Sequence, residues 1–134
     1  MTSEFQVRSR SRCEMIDITA EVAALVKKAG IATGRVTLFT PHTTAALTIN
    51  ENADPDVTRD MLYALERLVP RDPAFRHAEG NSDAHLKSSL IGASETLLIE
   101  NGKPVLGTWQ GLYFCEFDGP RNRRVLARLE GTSS

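Results

Sequence analysis

The chain has 134 residues, the length of a single domain (1–134) able to bury its own core. Its 41% hydrophobic and 25% charged residues are ordinary for a globular protein, and no apolar run is long enough to cross a bilayer, so no membrane partner is expected. A formal net charge of −1 argues against general nucleic-acid binding, which draws its affinity from excess Lys and Arg on phosphates.

MTSEFQVRSRSR lacks the apolar run of a signal peptide. The expected location is the cytoplasm, and Cys13 and Cys115 are expected as free, buried thiols. Phe5 to Ile18 alternates loosely and suits a long strand broken among its serines and arginines. From Thr19 to Ala29 the period becomes helical, with Val22, Leu25, Val26 and Ala29 on one face and Gly30 as the stop. Arg35 to Thr40 reads as a strand ended by Pro41, and Ala45 to Ile49 resumes extended structure.

Asp54-Pro55-Asp56 opens a second helix with a cap, a proline at the first position and an acid at the positive end of the dipole. Val57, Met61, Leu65 and Leu68 are its expected buried stripe, and Pro70 closes it. Residues 70–83 form a loop, and Ser82 or Asp83 caps a short third helix with Leu86 and Leu90 one turn apart and Gly92 at its end. Thr96 to Glu100, an Asn101-Gly102 hairpin, Lys103 to Leu106, Trp109 to Phe117 and Asn122 to Leu129 complete a strand-rich half. The class is α+β: a mixed, largely antiparallel sheet, half-barrel or sandwich-like, with two to three helices packed on it.

Chemistry concentrates in His77-Ala78-Glu79-Gly80-Asn81-Ser82-Asp83-Ala84-His85, which holds two of the three histidines of the chain. The third, His42, follows a strand in Pro41-His42-Thr43-Thr44. Three imidazoles match the protein ligand count of a catalytic zinc, although the spacing is no standard motif. The competing reading is that one or two of them are hydrogen-bonded structural residues. Asn50 and Glu51 sit at a strand end, where a carboxylate can act as base or orient a ligating imidazole.

On Trp109 to Phe117, alternation puts Gln110 and Glu116 on the face of Leu112 and Phe114, with Trp109, Tyr113, Cys115 and Phe117 opposite. A carboxylate in such an apolar strand needs a partner, and Arg121 or Arg123 from the next strand can supply it. The same arginines, with Lys87, can receive phosphate, and Thr43, Thr44, Asn81 and Ser82 offer further polar contacts near the histidines. Absence of a GxSxG elbow and of a P-loop leaves no support for a hydrolase triad or NTP hydrolysis.

PHTTA, NEN, HAEGNSDAHLKSS and GTWQG through EFDGPR occur in this order over nearly the whole chain. Together they resemble the YjbQ-like family. The resemblance implies a compact α+β fold with a mixed sheet, a homotrimer, and a secondary thiamine-phosphate synthase activity joining an aminopyrimidine diphosphate to a thiazole phosphate with release of pyrophosphate. On that view Lys87, Arg121 and Arg123 grip phosphate, while His42, His77, His85, Glu79 and Asp83 surround a divalent metal. The imidazoles favour zinc, whereas pyrophosphate departure favours magnesium. Two other classes stay open: a metal-dependent hydrolase with Glu51 or Glu79 as base, and a non-catalytic module holding a metal or metabolite between subunits.

Overall fold

A computed structural model describes residues 2–133. In chain order the elements are β1 (Thr2–Arg8), β2 (Glu14–Asp17), α1 (Thr19–Ala29), β3 (Thr33–Phe39), β4 (Ala45–Glu51), α2 (Pro55–Leu68), α3 (Ser82–Ile91), β5 (Ser94–Glu100), β6 (Lys103–Pro104), β7 (Gln110–Glu116) and β8 (Asn122–Thr132). One sheet has the order β1-β8-β3-β5-β6 and the other β2-β7-β4. Among the described residues every strand pairing is antiparallel, so the expected mixed sheet is wholly antiparallel. The class is α+β, and the sheets form a half-barrel.

Local sequence accounts for most boundaries. Asp54 caps α2 by accepting the Asp56 amide at 2.9 Å, with Pro55 at the first helical position. Gly30 ends α1 in the left-handed region at φ 70°, where a residue without Cβ carries no steric cost. Asn101 and Gly102 both take positive φ (53° and 74°), the pattern a tight I′ hairpin requires. The expected long first strand divides into β1 and β2, and the Arg10-Ser11 turn between them is tied down when both amides donate to Glu14 Oε2.

The main core lies between the sheets. Val22 and Val26 of α1 meet Val36 and Leu38 of β3, Leu47 of β4, Ile99 of β5, Leu112 and Phe114 of β7, and Val125 of β8. Each such side chain contributes about 1.5–3 kcal/mol on burial. The other face of β7 forms a smaller cluster, where Cys115 and Phe117 join Ala46 and Ala84 and pack against Leu62 and Leu65 of α2. The two faces read from the alternation of β7 are those observed. Trp109 precedes the strand and is 63% exposed.

The second helix differs from expectation, and the third shows a face the sequence left open. No residue of α2 is fully buried and Leu68 is 70% exposed, because the helix lies on the small second cluster and not between layers. In α3 the apolar face points outward: Leu86 and Leu90 are 44% and 60% exposed. Asp83, Ala84, Lys87 and Ser88 are the buried residues.

Candidate active site around the third helix

The inward face of α3 is polar because partners wait beneath it. Asp83 accepts two hydrogen bonds from Arg12 Nη2, at 3.1 and 3.2 Å. One turn on, Lys87 Nζ donates to Glu66 Oε2 of α2 at 2.7 Å and lies 3.5 Å from Asp83. Ser88 Oγ donates to the Ala45 carbonyl at 2.6 Å, pinning the helix to β4. Burial pushes the Asp83 carboxyl up, but the Arg12 hydrogen bonds and charge, with Lys87, outweigh it and hold it below the ordinary value. Asp83 is therefore a fixed anion locked to two cations.

The cap of α3 is not the expected Ser82 or Asp83. Asn81 occupies that position without a capping hydrogen bond, and its Nδ2 instead donates to Asp118 Oδ2 at 2.7 Å. Its Oδ1 is buried without a partner. Asp118 also accepts from Arg121, at its carbonyl from Nε (2.9 Å) and at Oδ2 from Nη2 (3.1 Å). The turn is tight: a Cβ on Gly119 would stand 2.4 Å from the Ser11 carbonyl oxygen and 2.6 Å from Ser9 Oγ. Only glycine fits there, and the Gly119–Pro120 peptide is cis.

From this turn the network runs inward to Glu116. Ser9 Oγ donates to Glu116 Oε1 at 2.6 Å, the Asp118 amide to Oε2 at 3.0 Å, and Arg123 from both Nε and Nη2. Burial raises the Glu116 carboxyl, yet these donors together bring it below its ordinary value. Arg123 Nη2 also donates to Thr44 Oγ1 at 2.8 Å. The next amide, Arg124, donates to His42 Nε2 at 3.0 Å. Burial and then the charges of Arg123 and Arg124 lower the His42 pKa. His42 is thus neutral with its proton on Nδ1.

His77 and His85 come together edge to face, ring centroids 5.5 Å apart at 83°. Glu79 Oε1 lies 3.9 Å from His77 Nε2. The loop reaches back because the Gly80 amide donates to the His77 carbonyl at 3.0 Å. Two of the three expected metal-binding histidines therefore meet, with a carboxylate beside them, while His42 Nε2 is engaged on β8. Among the described residues no three His, Cys, Asp or Glu side chains form a metal-holding group within the chain.

The remaining candidates separate by position. Lys87 and Arg123, expected on phosphate, are 1% and 3% exposed and matched to carboxylates; they hold the scaffold. Glu116 is likewise enclosed, at 0%, and Thr44 serves Arg123. Arg121 is the expected phosphate group that stays half exposed, its guanidinium aimed by Asp118. Thr43 is exposed and Ser82 partly so. Asn50, Glu51 and Gln110 lie at the opposite end of β7: Glu51 pairs with Gln110, whereas Ala45 pairs with Glu116. Six strand steps put about 20 Å between those ends. Asn50 Oδ1 accepts the Glu51 amide at 2.7 Å, and Gln110 Oε1 accepts the Gly107 amide at 2.8 Å.

Ser9, Arg12, Glu66 and Asp118 were not expected at the site. Their sequence signal is only that buried polar groups such as Glu116, Asp83, Lys87 and Asn81 need hydrogen-bonding partners, and which residues supply them is visible only once the chain is folded.

The family model described as "UPF0047 protein YjbQ-like" matches residues 3–132. "UPF0047 protein YugU" of Bacillus subtilis is 51% identical over 98% of this chain and 100% of its own length. "UPF0047 protein MJ1081" of Methanocaldococcus jannaschii is 47% identical over 98% and 95%. A crystal structure of an uncharacterized YjbQ/UPF0047 protein from Clostridium acetobutylicum superposes with a TM-score of 0.93 at 50% identity, covering 96% of this chain and 99% of that one. With motifs, fold and near full-length relatives in agreement, the chain belongs to the UPF0047, YjbQ-like family.

Proposed function

We propose that the chain is a metal-assisted transferase acting on phosphorylated small molecules, with thiamine phosphate formation the first reaction to test. The observation that carries this reading is the pairing of His77 with His85, with Glu79 beside them, at a helix whose opposite face is held to the scaffold by Asp83 and Lys87. Two imidazoles and a carboxylate are a recognised donor set for a catalytic divalent ion, zinc above all, with magnesium the alternative for pyrophosphate chemistry. When bound, such an ion supplies charge neutralisation on a departing pyrophosphate.

The residues of the chain supply the rest. His77 and His85 hold the ion and Glu79 orients His77. Arg121, fixed by Asp118, meets a phosphate oxygen with its exposed face. Asn81 Oδ1, an unpaired acceptor, takes a hydrogen bond from an amino or hydroxyl group of the substrate. Neutral His42 offers its Nδ1 proton. In the proposed reaction the thiazole nitrogen bonds to the methylene carbon of the aminopyrimidine as that carbon's bond to the diphosphate oxygen breaks. The bonding pair leaves with pyrophosphate.

We further propose a homotrimer with the site between subunits. Asn50, Glu51 and Gln110 lie too far along β7 to serve the histidine pair of their own chain, while α3 turns Leu86 and Leu90 outward beside it. A neighbour covering those leucines would bring its own strand end to the pair. The hydrolase reading is favoured only by Glu79 at 3.9 Å from His77, a place from which it can deprotonate water. Given both phosphorylated precursors, the purified protein is expected to release pyrophosphate well above a His85→Ala control. Equal release from the two would remove the transferase; chelator-sensitive turnover of phosphate esters would replace it with the hydrolase.

A further inference from the structure

A concavity lies between α1 and the β5–β6 hairpin, and no residue of α3 lines it. It has a volume of about 510 Å³ and is lined by Ala23 and Lys27 of α1 and by Gly102, Lys103, Pro104 and Leu106. A shallower depression of about 270 Å³ shares Lys27 and Gly102 and prolongs it around the hairpin tip. The size is that of a small-molecule site.

Its walls are held in place. The Gly102 amide donates to the Ala32 carbonyl at 3.0 Å, fastening the hairpin to the segment that leaves α1. At the other end Thr19 Oγ1 accepts the Leu112 amide at 2.9 Å, fixing the start of α1 against β7. The groove is therefore formed before any ligand arrives. Its lining is mostly apolar, yet Lys27 and Lys103 stand at it, and among the described residues neither has an acidic partner. Most cations near α3 and β8 are paired, so two unpaired ones bordering one apolar trough set a definite charge preference. Lys27, in the last turn of α1, also suits the helix dipole; Lys103 stands opposite Glu100 in the β5–β6 register but makes no ion pair with it, so its charge is available to the groove.

We propose that this groove is a second binding site, for an elongated apolar molecule bearing one anionic head: an aryl or medium-chain carboxylate, sulfonate or phosphate monoester. The body lies on Ala23, Pro104 and Leu106, and the head sits between Lys27 and Lys103. The proposal does not depend on the chemistry assigned to the histidines.

The test is titration of the intact protein with 8-anilinonaphthalene-1-sulfonate, followed by fluorescence and by amide chemical shifts. Saturable binding is expected, with shifts at Ala23, Gly102 and Leu106, and competition by octanoate or phenyl phosphate. Lys27→Gln with Lys103→Gln, both exposed, should weaken binding at least tenfold while far-UV circular dichroism shows the fold retained. Ala23→Trp should abolish it. Binding that ignores the lysine substitutions, or that neutral N-phenyl-1-naphthylamine matches, overturns the anionic ligand. Shifts confined to α3 or α2 overturn the location. Loss of dye binding as the protein is concentrated would mean that another copy fills the groove, which also overturns the proposal.

Discussion

Arg123 and Glu116 face each other in the interior where β7 ends and β8 begins, the guanidinium donating to both carboxylate oxygens while each residue is almost wholly enclosed. Removing one partner leaves the other charge buried without compensation, a cost of about 3–5 kcal/mol. Glu116→Gln and Arg123→Met should each lower the unfolding free energy obtained from urea titration by an amount of that order. The double substitution should recover much of the loss. If the single losses simply add, the two residues are not coupled and the network drawn around them is wrong.

The acid limb of stability follows from the same carboxylates. Glu116 and Asp83 are both held below their ordinary values of 4.5 and 3.8, so in that range the unfolded chain binds more protons than the folded one. Their contribution is complete above the ordinary values and is lost as pH falls through the folded ones. Unfolding free energy measured from pH 6 downward should drop steeply below about pH 4.5. Asp83→Asn should flatten that drop while lowering the plateau.

His42 acts at higher pH with its own sign. Its folded pKa lies below the ordinary 6.5, so between the two the unfolded state carries the extra proton and stability declines as pH falls below 6.5. Protonation would also remove the lone pair that accepts the Arg124 amide. His42→Gln should make stability nearly flat from pH 7 to pH 5. A wild-type profile already flat there would contradict the partly buried, cation-flanked setting of this ring.

Much of this scaffold was readable from residues alone, and the failures have physical causes. Asp54-Pro55-Asp56 and Asn101-Gly102 act through their own backbone, so their outcomes could be read locally. The faces of β7 followed from its two-residue period. In α3 the one-turn spacing of Leu86 and Leu90 marks a helix without saying which face is buried, and the structure turns them out because Arg12, Glu66 and the Ala45 carbonyl, all remote in sequence, satisfy Asp83, Lys87 and Ser88. Periodicity cannot report a polar interior assembled from distant segments. For that reason Lys87 and Arg123 read as phosphate ligands, although burial commits both to carboxylates. The meeting of His77 with His85 was legible because the two are eight residues apart, one on the loop and the other on the first turns of the helix it leads into.

The outward leucines carry a prediction about assembly. Leu86 and Leu90, one turn apart on α3, expose 44% and 60% of their surface, and adjoining apolar side chains left open together form the kind of patch that a partner covers. If a trimer covers α3, Leu86→Glu with Leu90→Glu places charge in that contact and should yield monomers by sedimentation. Helical content should be retained, since neither side chain belongs to the core of its own chain. A wild-type protein that sediments as a monomer at every concentration would end the shared-site reading.

Metal retention tests the donors one at a time. Elemental analysis of the protein as purified should find a divalent metal, at one per chain or one per subunit contact. His77→Ala and His85→Ala should each reduce its content at least tenfold, because each removes one of two adjoining imidazoles. Glu79→Gln should weaken retention less, its carboxylate lying 3.9 Å from His77 at an exposed position. His42→Ala separates two arrangements. Its Nε2 already accepts the Arg124 amide, so if that bond persists in the assembly the substitution leaves metal content unchanged. If the neighbouring subunit draws His42 onto the ion, content falls with His42 as it does with His77 and His85. Metal-free protein that takes up neither zinc nor magnesium on addition would remove the metal from the proposed chemistry and leave Arg121, Asn81 and His42 as a hydrogen-bonding site.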